Sequence, residues 1–257
     1  MLYTITLLTT LYFAFTYPLC FWISRHDPLK NNFHHFHLGL PVIVGILALF
    51  FVVRAETPSW VNIGAVLWMI AALVLTAYAW RRESAPIGAT TFLCVCGLGL
   101  TYQVQSGLVA GGLPGMLTMT LSGLIFSASL YAMNLGHWYL NVHGLPIKHL
   151  RHAANAFWIL ITARLLWNLV HAVTGQILYQ GQNIRLYEFM GRLDGFLLMV
   201  PIFFGVLLPF GAMFMVHEII KLKNTQAATG ILYVILCGVL VGDIAYKYFL
   251  IKFGITL

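Results

Sequence analysis

The sequence is dominated by eight apolar runs, each close to the length that a helix needs to cross a lipid bilayer. Short polar segments such as Arg81-Arg82-Glu83 separate the runs. About 20 mostly apolar residues span the hydrocarbon core, and the runs lack the two-residue alternation of a transmembrane β-strand. The predicted fold class is therefore all-α, a polytopic integral membrane helical bundle without a sizeable soluble domain. The predicted spans, in a single transmembrane domain over 1–257, are 2–24, 38–55, 60–80, 86–110, 116–136, 152–175, 193–217 and 227–251.

Charged residues are too scarce for a chain that folds in water. They make up 8% of the 257 residues, while 60% are hydrophobic. Soluble domains carry about 25% charged residues, because their surface faces water. This composition excludes a soluble enzyme, a DNA-binding protein and a disordered chain.

The basic residues of the loops predict the orientation of the chain. Eight spans place both termini on one side, and Lys and Arg favour cytoplasmic loops. One set of loops holds eight basic residues and the other holds four, so both termini are predicted outside, in the periplasm of a bacterial inner membrane. The first set is Arg25, Lys30, Arg81, Arg82, Lys148, Arg151, Lys221 and Lys223; the second is Arg54, Arg185, Arg192 and Lys252.

The longest hydrophilic stretch is 176–192, between the sixth and seventh runs. Its second half suggests a short surface helix from Asn183 to Met190. No basic run is dense enough to follow a phosphate backbone, so nucleic acid is not an expected partner. The expected partners are the lipid bilayer, other membrane or redox subunits, and a quinone.

The histidines are sorted by this topology. Nine of the ten fall on the predicted inner side, and His171 alone lies toward the outer side. Imidazole is a common ligand of transition metals and haem iron. The alternative is that interfacial histidines simply meet water and lipid headgroups. The candidate metal ligands are His34, His35, His37, His137, His143, His149, His152 and His217.

A haem b near the inner face is one way in which these histidines could act. Two ligands must lie on facing helices at a similar depth. His137 and His217 satisfy this requirement in the predicted topology, and His37 and His152 are the alternatives. The outer half offers too few histidines for a second haem.

Polar residues inside the sixth and eighth runs point to a second candidate site. Arg164, Asn168 and His171 recur on one face of a helix, and an arginine within a membrane is costly unless it meets a partner or a cavity. Its candidate partners are Asp243 and Asp194. The site could hold a quinone head group, haem propionates or a transported ion. The alternative is a buried Arg164–Asp243 pair that only holds helices together.

The sequence leaves three functions open. The sequence has no phosphate-binding glycine loop, no HExxH and no GxSxG. The favoured prediction is a membrane subunit of an electron-transfer complex that binds haem b or a quinone. The alternatives are a histidine-metal membrane enzyme acting on a lipid-like substrate, and a transporter or ion-translocating protein. If the protein is an enzyme, an oxidoreductase component is expected.

Overall fold

The chain is an all-α protein, as predicted. The computed structural model describes residues 1–25, 29, 33–55, 57–82, 84–109, 111–142 and 144–257. In this part of the chain, eight helical segments are long and apolar enough to cross a membrane. They are Leu2–Ser24, Phe33–Arg54, Ser59–Ala79, Ile87–Leu108, Gly112–Asn141, Lys148–Thr174, Leu193–Lys221 and Thr225–Phe253.

The helices form two compact units, Met1–Val109 and Ala110–Leu257. The predicted single domain stays a prediction, because compact packing does not decide whether the units fold independently. Two helices are longer than the apolar pattern indicated. The second begins at Phe33 rather than at 38, and the fifth continues to Asn141. Both extensions bring histidines into helical structure.

The N-terminal unit has four helical segments. They are α1 (Leu2–Thr16) with a 3-10 continuation (Tyr17–Ser24), α2 (Phe33–Arg54), α3 (Ser59–Ala79) and α4 (Ile87–Leu108). The Trp68 ring packs edge-on against Phe15 with centroids 4.4 Å apart. Tyr12 donates a hydrogen bond to Gln105 Oε1 at 2.5 Å, which ties α1 to α4.

The C-terminal unit has the other four spans and a small hairpin. Its long helices are α5 (Gly112–Asn141), α6 (Lys148–Thr174) and α11 (Thr225–Phe253). Between α6 and α11 the chain forms β1 (Gln176–Tyr179), β2 (Gln182–Arg185), α7 (Leu186–Met190), α8 (Leu193–Phe196), α9 (Met199–Ile202), a π-helical segment (Phe203–Leu207) and α10 (Leu208–Lys221).

The seventh span is irregular because it contains two prolines. Pro209 has no N–H, so it cannot donate to the carbonyl of Gly205 one turn earlier. The N–H of Leu208 bonds to Phe203 instead, which widens the turn into a π-helix. π-bulges of this kind are frequent at functional sites.

The hydrophilic stretch after α6 differs from the expected helix. Only Leu186–Met190 is helical, and the residues before it form an antiparallel hairpin. Its turn is Gln180-Gly181, and both residues have positive φ angles of 51° and 79°. A two-residue turn with this backbone and a glycine favours a hairpin; this is the signal that the helical interpretation missed.

Candidate functional site

Three ionisable side chains are buried together in the C-terminal unit. Arg164 of α6 and Lys247 of α11 are each 1% exposed, and Asp243 of α11 is 3% exposed. We call these three residues the charge cluster. Arg164 and Asp243 both lie about one turn beyond the midpoint of their helices. The cluster is therefore at membrane depth, where ionisable residues are rare and usually functional.

Asp243 and Lys247 form an ion pair along one face of α11. Lys247 Nζ donates to Asp243 Oδ1, four residues earlier in the helix. Ser122 of α5 donates to the same carboxylate oxygen at 2.7 Å. The carboxylate therefore links α11 to α5 and compensates one buried cation.

Arg164 makes contacts that the sequence did not indicate. Its Nη1 donates to the carbonyl of Thr118 at 2.9 Å, and its Nη2 donates to the main-chain oxygen of Leu257. The guanidinium carbon lies 4.1 Å from the centroid of the Tyr246 ring, a cation–π distance. Asp243 and Arg164 line the same small cavity, so these two predicted partners are neighbours. The hydrogen bonds of Arg164 nevertheless go to main-chain oxygens, and its cation–π contact is with the Tyr246 ring.

Arg164 and Trp167 of α6 each donate a hydrogen bond to a main-chain oxygen of the segment that follows α11. Gly254 has a left-handed φ of 68° and ends the helix, which is the usual role of glycine at this position. The chain then turns back, and Trp167 Nε1 donates to the carbonyl of Thr256 at 2.8 Å. Leu257 is 1% exposed, so this tail is a packed part of the site.

A small cavity lies beside the charge cluster. Its volume is about 10 Å³, and Ser122, Arg164, Asp243 and Tyr246 contribute to its lining. One water molecule needs about 10–15 Å³, whereas small-molecule pockets are about 300–1,000 Å³. The space accepts a water molecule but not a quinone ring.

We call the face of α6 that carries Arg164, Asn168 and His171 the polar stripe. Two of its polar atoms have no hydrogen-bond partner among the described residues. They are Arg164 Nε, a donor, and Asn168 Oδ1, an acceptor, and both are buried. The other amide atom of Asn168, Nδ2, donates to the Tyr246 hydroxyl. Buried polar atoms of this kind are commonly satisfied by water, which agrees with the size of the cavity.

The outer end of the predicted stripe is less buried. His171 is half-buried; its ring stacks on Trp167 with centroids 4.2 Å apart, and its Nδ1 faces the Trp167 carbonyl at 3.3 Å. Asp194, the other candidate partner of Arg164, accepts a hydrogen bond from Tyr179 at 2.7 Å. That hydrogen bond raises the pKa of the Tyr179 hydroxyl.

The histidines of the N-terminal unit connect helices. His34 is 3% exposed, and its Nε2 donates to the carbonyl of Ala79 at 3.1 Å. His37 is 2% exposed, and its Nδ1 lies 2.6 Å from the Tyr17 hydroxyl. His35 is half-buried and stacks with Trp80, with ring centroids 5.4 Å apart. These contacts join α2 to α3 and to the 3-10 segment.

The histidines of the C-terminal unit are in diverse environments. His137 and His152 are exposed, and His149 is buried. His217 is half-buried beside Trp158, with ring centroids 4.9 Å apart. His143 lies outside the described residues.

Both ring nitrogens of His217 already have partners. Nδ1 lies 2.7 Å from the Met213 carbonyl oxygen, and Nε2 lies 2.8 Å from Asn155 Oδ1. A haem iron at His217 would have to displace one of these hydrogen bonds. In the described residues of either unit, no three of His, Cys, Asp and Glu are grouped as a metal site. Haem binding and metal binding both stay predictions.

No family model, no curated protein and no solved structure matches this chain. The class of protein therefore follows from the fold and the site. The chain is an all-α protein with eight bilayer-length helices, and its C-terminal unit contains a buried cluster of two basic residues and one acidic residue.

Proposed function

We propose that the protein is an ion-translocating membrane protein that moves protons, and that its C-terminal unit contains the proton-exchanging pair. The observation that carries the proposal is the Lys247–Asp243 ion pair, buried at membrane depth beside Arg164. Intramembrane acidic and basic residues commonly form proton relays. A bulky substrate is disfavoured, because the adjoining cavity has room for a single water molecule.

The contact between Lys247 and Asp243 is suited to transfer of one proton. The Nζ–H bond of Lys247 breaks and an Oδ1–H bond of Asp243 forms, so an ammonium and a carboxylate become an amine and a carboxylic acid. The products are both neutral, which favours transfer where burial penalises charge. Asp243 then releases the proton, and Lys247 takes up another proton from the opposite side.

Arg164 supplies a reason for the pair to change state. Its guanidinium is a second cation beside the protonated Lys247. Like charges disfavour each other's charged forms. The fixed guanidinium therefore favours release of a proton, and the water-sized cavity beside Tyr246 offers a path toward the polar stripe of α6.

Asp243→Asn should abolish proton movement. The amide keeps the size of the side chain but cannot release the proton as a carboxylic acid does. Purified protein is reconstituted in liposomes that contain a pH-sensitive dye, and a pH gradient is imposed with a potassium ionophore to balance charge. Wild-type vesicles should dissipate the gradient faster than empty vesicles, and Asp243→Asn vesicles should match the empty ones.

Asp194→Asn is the matched control. It removes a carboxylate from the same unit, but that carboxylate accepts a hydrogen bond from the hairpin residue Tyr179. Asp194 is not among the residues that line the cavity beside the charge cluster. Its vesicles should behave like the wild type. Equal fluxes for wild-type and empty vesicles, or full activity of Asp243→Asn, would contradict the proposal.

The proposal extends to the setting of the protein. The loop charges support both termini on the periplasmic side of a bacterial inner membrane. Small exposed segments support action together with other membrane subunits. Labelling of cysteines introduced next to Arg25 and next to Arg192 with a membrane-impermeant reagent checks the orientation, because only the second position should react in intact cells.

Electron transfer through haem b is the second candidate function. It is favoured by the exposed positions of His137 and His152, which lie near the adjoining ends of the contacting helices α5 and α6. A reduced-minus-oxidised absorption spectrum of the purified protein should show a haem b α-band that His137→Ala and His152→Ala remove. Protein without such a band after expression with added haem precursor would rule out this candidate.

A further inference from the structure

The first turns of α6 pack against the last turns of α10 in the C-terminal unit. Asn155 Oδ1 of α6 lies 2.8 Å from Nε2 of His217 of α10. One turn deeper on both helices, the rings of Trp158 and Phe214 meet edge-on with centroids 5.4 Å apart. The helices are antiparallel here, because residue numbers rise on α6 where they fall on α10. We call this contact region the α6–α10 seam.

Each helix contributes one row of side chains to the seam. Residues three or four positions apart share a face of a helix. Both rows change from aromatic inside the helix to polar and then to basic at the helix end. From the inside outward they are Trp158, Asn155 and Arg151 on α6, and Phe214, His217 and Lys221 on α10.

Arg151 and Lys221 form the basic end of the seam. Each is four residues, about 6 Å along its helix axis, beyond the Asn155–His217 contact. Arg151 is exposed, and in the described part of the chain it takes part in no ion pair. Lys221 is exposed too, and its Nζ lies 2.6 Å from the carboxylate of Glu218. Like charges that share one place disfavour each other, so an anion between the two helices would be stabilising.

Few carboxylates are available to neutralise this end. Residues 110–257 contain four acidic side chains. Glu188 and Asp194 belong to α7 and α8, which follow the opposite end of α6, and Asp243 is in the charge cluster. Among the described residues of this unit, Glu218 is therefore the only carboxylate at this end of the helices. The exposed basic residues near it are Arg151, Lys221 and Lys223.

The basic end of the seam is at the depth of lipid headgroups. The two bilayer-length helices that form it begin at Lys148 and end at Lys221, so Arg151 and Lys221 lie in their terminal turns. One turn deeper, Ile159 and Phe214 are exposed, and they offer an apolar surface beside the charges. A ligand with an anionic head and an apolar chain matches both parts of the seam.

We propose that the α6–α10 seam binds an anionic phospholipid of the bilayer, with its phosphate between Arg151 and Lys221. One acyl chain lies along Phe214 and Ile159. A guanidinium pairs with phosphate oxygens through two parallel hydrogen bonds, and the lysine ammonium has donors besides the one that its intrahelical ion pair uses. Basic pockets between membrane helices bind anionic headgroups in this way.

The lipid site is independent of the proposed proton pair. Arg151 lies about 20 Å from Arg164 along α6. The two proposals therefore stand or fall separately.

Binding is measured as the rise in unfolding temperature of the purified full chain in neutral detergent micelles. The probes are phosphatidylglycerol, phosphatidylcholine with the same acyl chains and no net charge, and glycerol phosphate in the buffer. Phosphatidylglycerol alone should give a saturable rise, and sodium chloride should weaken it, because salt screens exposed charges. An equal rise with phosphatidylcholine would show that the charge is not recognised. An equal rise with glycerol phosphate would show that the ligand is not a lipid. Either result overturns the proposal.

Arg151→Gln and Lys221→Gln each remove one charge from the basic end, and both residues are exposed. Each should weaken phosphatidylglycerol binding roughly fivefold, the effect of one basic residue at an anionic membrane surface. The effect of Lys221→Gln should be the larger of the two, because Glu218 would then face the phosphate without its cation. The double variant should lose the saturable rise.

Arg185→Gln is the matched control. Arg185 is exposed and basic and belongs to the same unit, but it lies in β2 of the hairpin that follows α6. Its loss changes the net charge of the chain by the same amount and should leave phosphatidylglycerol binding unchanged. The proposal is overturned if phosphatidylglycerol gives no saturable rise, or if Arg185→Gln weakens its binding as much as Arg151→Gln does.

Discussion

Asp243→Asn should lower the free energy of unfolding by about 3–5 kcal/mol, the usual effect of removing one partner of a buried ion pair. The loss is expected because Lys247, which is 1% exposed, would keep its charge without the carboxylate that Nζ contacts. Unfolding is followed by circular dichroism as sodium dodecyl sulfate is added to protein in neutral micelles. Asp194→Asn should change the free energy far less, because its partner Tyr179 is at the hairpin.

A double variant separates the structural role of the pair from its proposed role in proton movement. Asp243→Asn combined with Lys247→Met removes both charges at nearly constant volume. Neutral replacements of buried ion pairs often restore stability, so the double variant should unfold close to the wild type. It should nevertheless fail to dissipate a pH gradient.

The two measurements have distinct consequences. A stable double variant that still moves protons would show that the pair only holds α11 in place, and the proposed function would be wrong. A single variant as stable as the wild type would show instead that Lys247 loses its proton when the carboxylate is removed. In that case the stability prediction is wrong, and the flux measurement alone decides the function.

The fold class could be predicted from the sequence because the bilayer imposes one strong rule. Every backbone polar group must be satisfied inside the segment, so apolar runs of sufficient length become helices. The described part of the chain accordingly has eight helices that are long and apolar enough to cross a bilayer, which confirms the fold class. The ends were less certain, because Phe33 to His37 and His137 to Asn141 are too polar to count as apolar but still form helical turns.

The members of the candidate site were also visible in the sequence. Arg164, Asn168 and Asp243 are polar residues inside apolar runs, and the structure buries all three. Their neighbours were harder to foresee. Lys247 is one turn from Asp243, so a pairing along the helix was available as a signal, but the acceptors for Arg164 are main-chain oxygens.

Main-chain acceptors leave little trace in a sequence. The main-chain oxygens of Thr118 and Leu257 accept from Arg164 only because α5 and the segment after Gly254 are brought close by packing. The side chains at those positions do not determine this contact. The small residues that permit close packing are informative instead, and α11 has glycines at 238 and 242.

Gly242→Ala should be strongly destabilising, because α11 touches the π-helical segment of the seventh span at this position. An added Cβ would lie 2.2 Å from Gly205 Cα and 2.7 Å from Gly205 N. Both atoms belong to the backbone, so no side-chain rotation can relieve the clash, and the two segments must separate. Overpacking of this kind costs about 1–3 kcal/mol or more, and close contacts through small residues are a main source of helix association in membranes.

The same substitution should impair proton movement. Gly242 precedes Asp243, and Gly205 packs close to the Tyr246 ring, since a Cβ built on Gly205 would lie 3.3 Å from that ring. Displacement of α11 would therefore shift Asp243 and Tyr246 relative to Arg164 of α6. We expect a lower unfolding free energy in detergent and a slower decay of the pH gradient in liposomes.

Gly230→Ala is the control on the same helix. Its added Cβ meets nothing within 4 Å, and alanine is the better helix former by up to about 1 kcal/mol. This variant should be as stable as the wild type or slightly more stable, and its proton flux should be unchanged. Equal behaviour of the two alanine variants would mean that α11 does not approach the seventh span this closely, and that the position of the charge cluster does not depend on the Gly205–Gly242 contact.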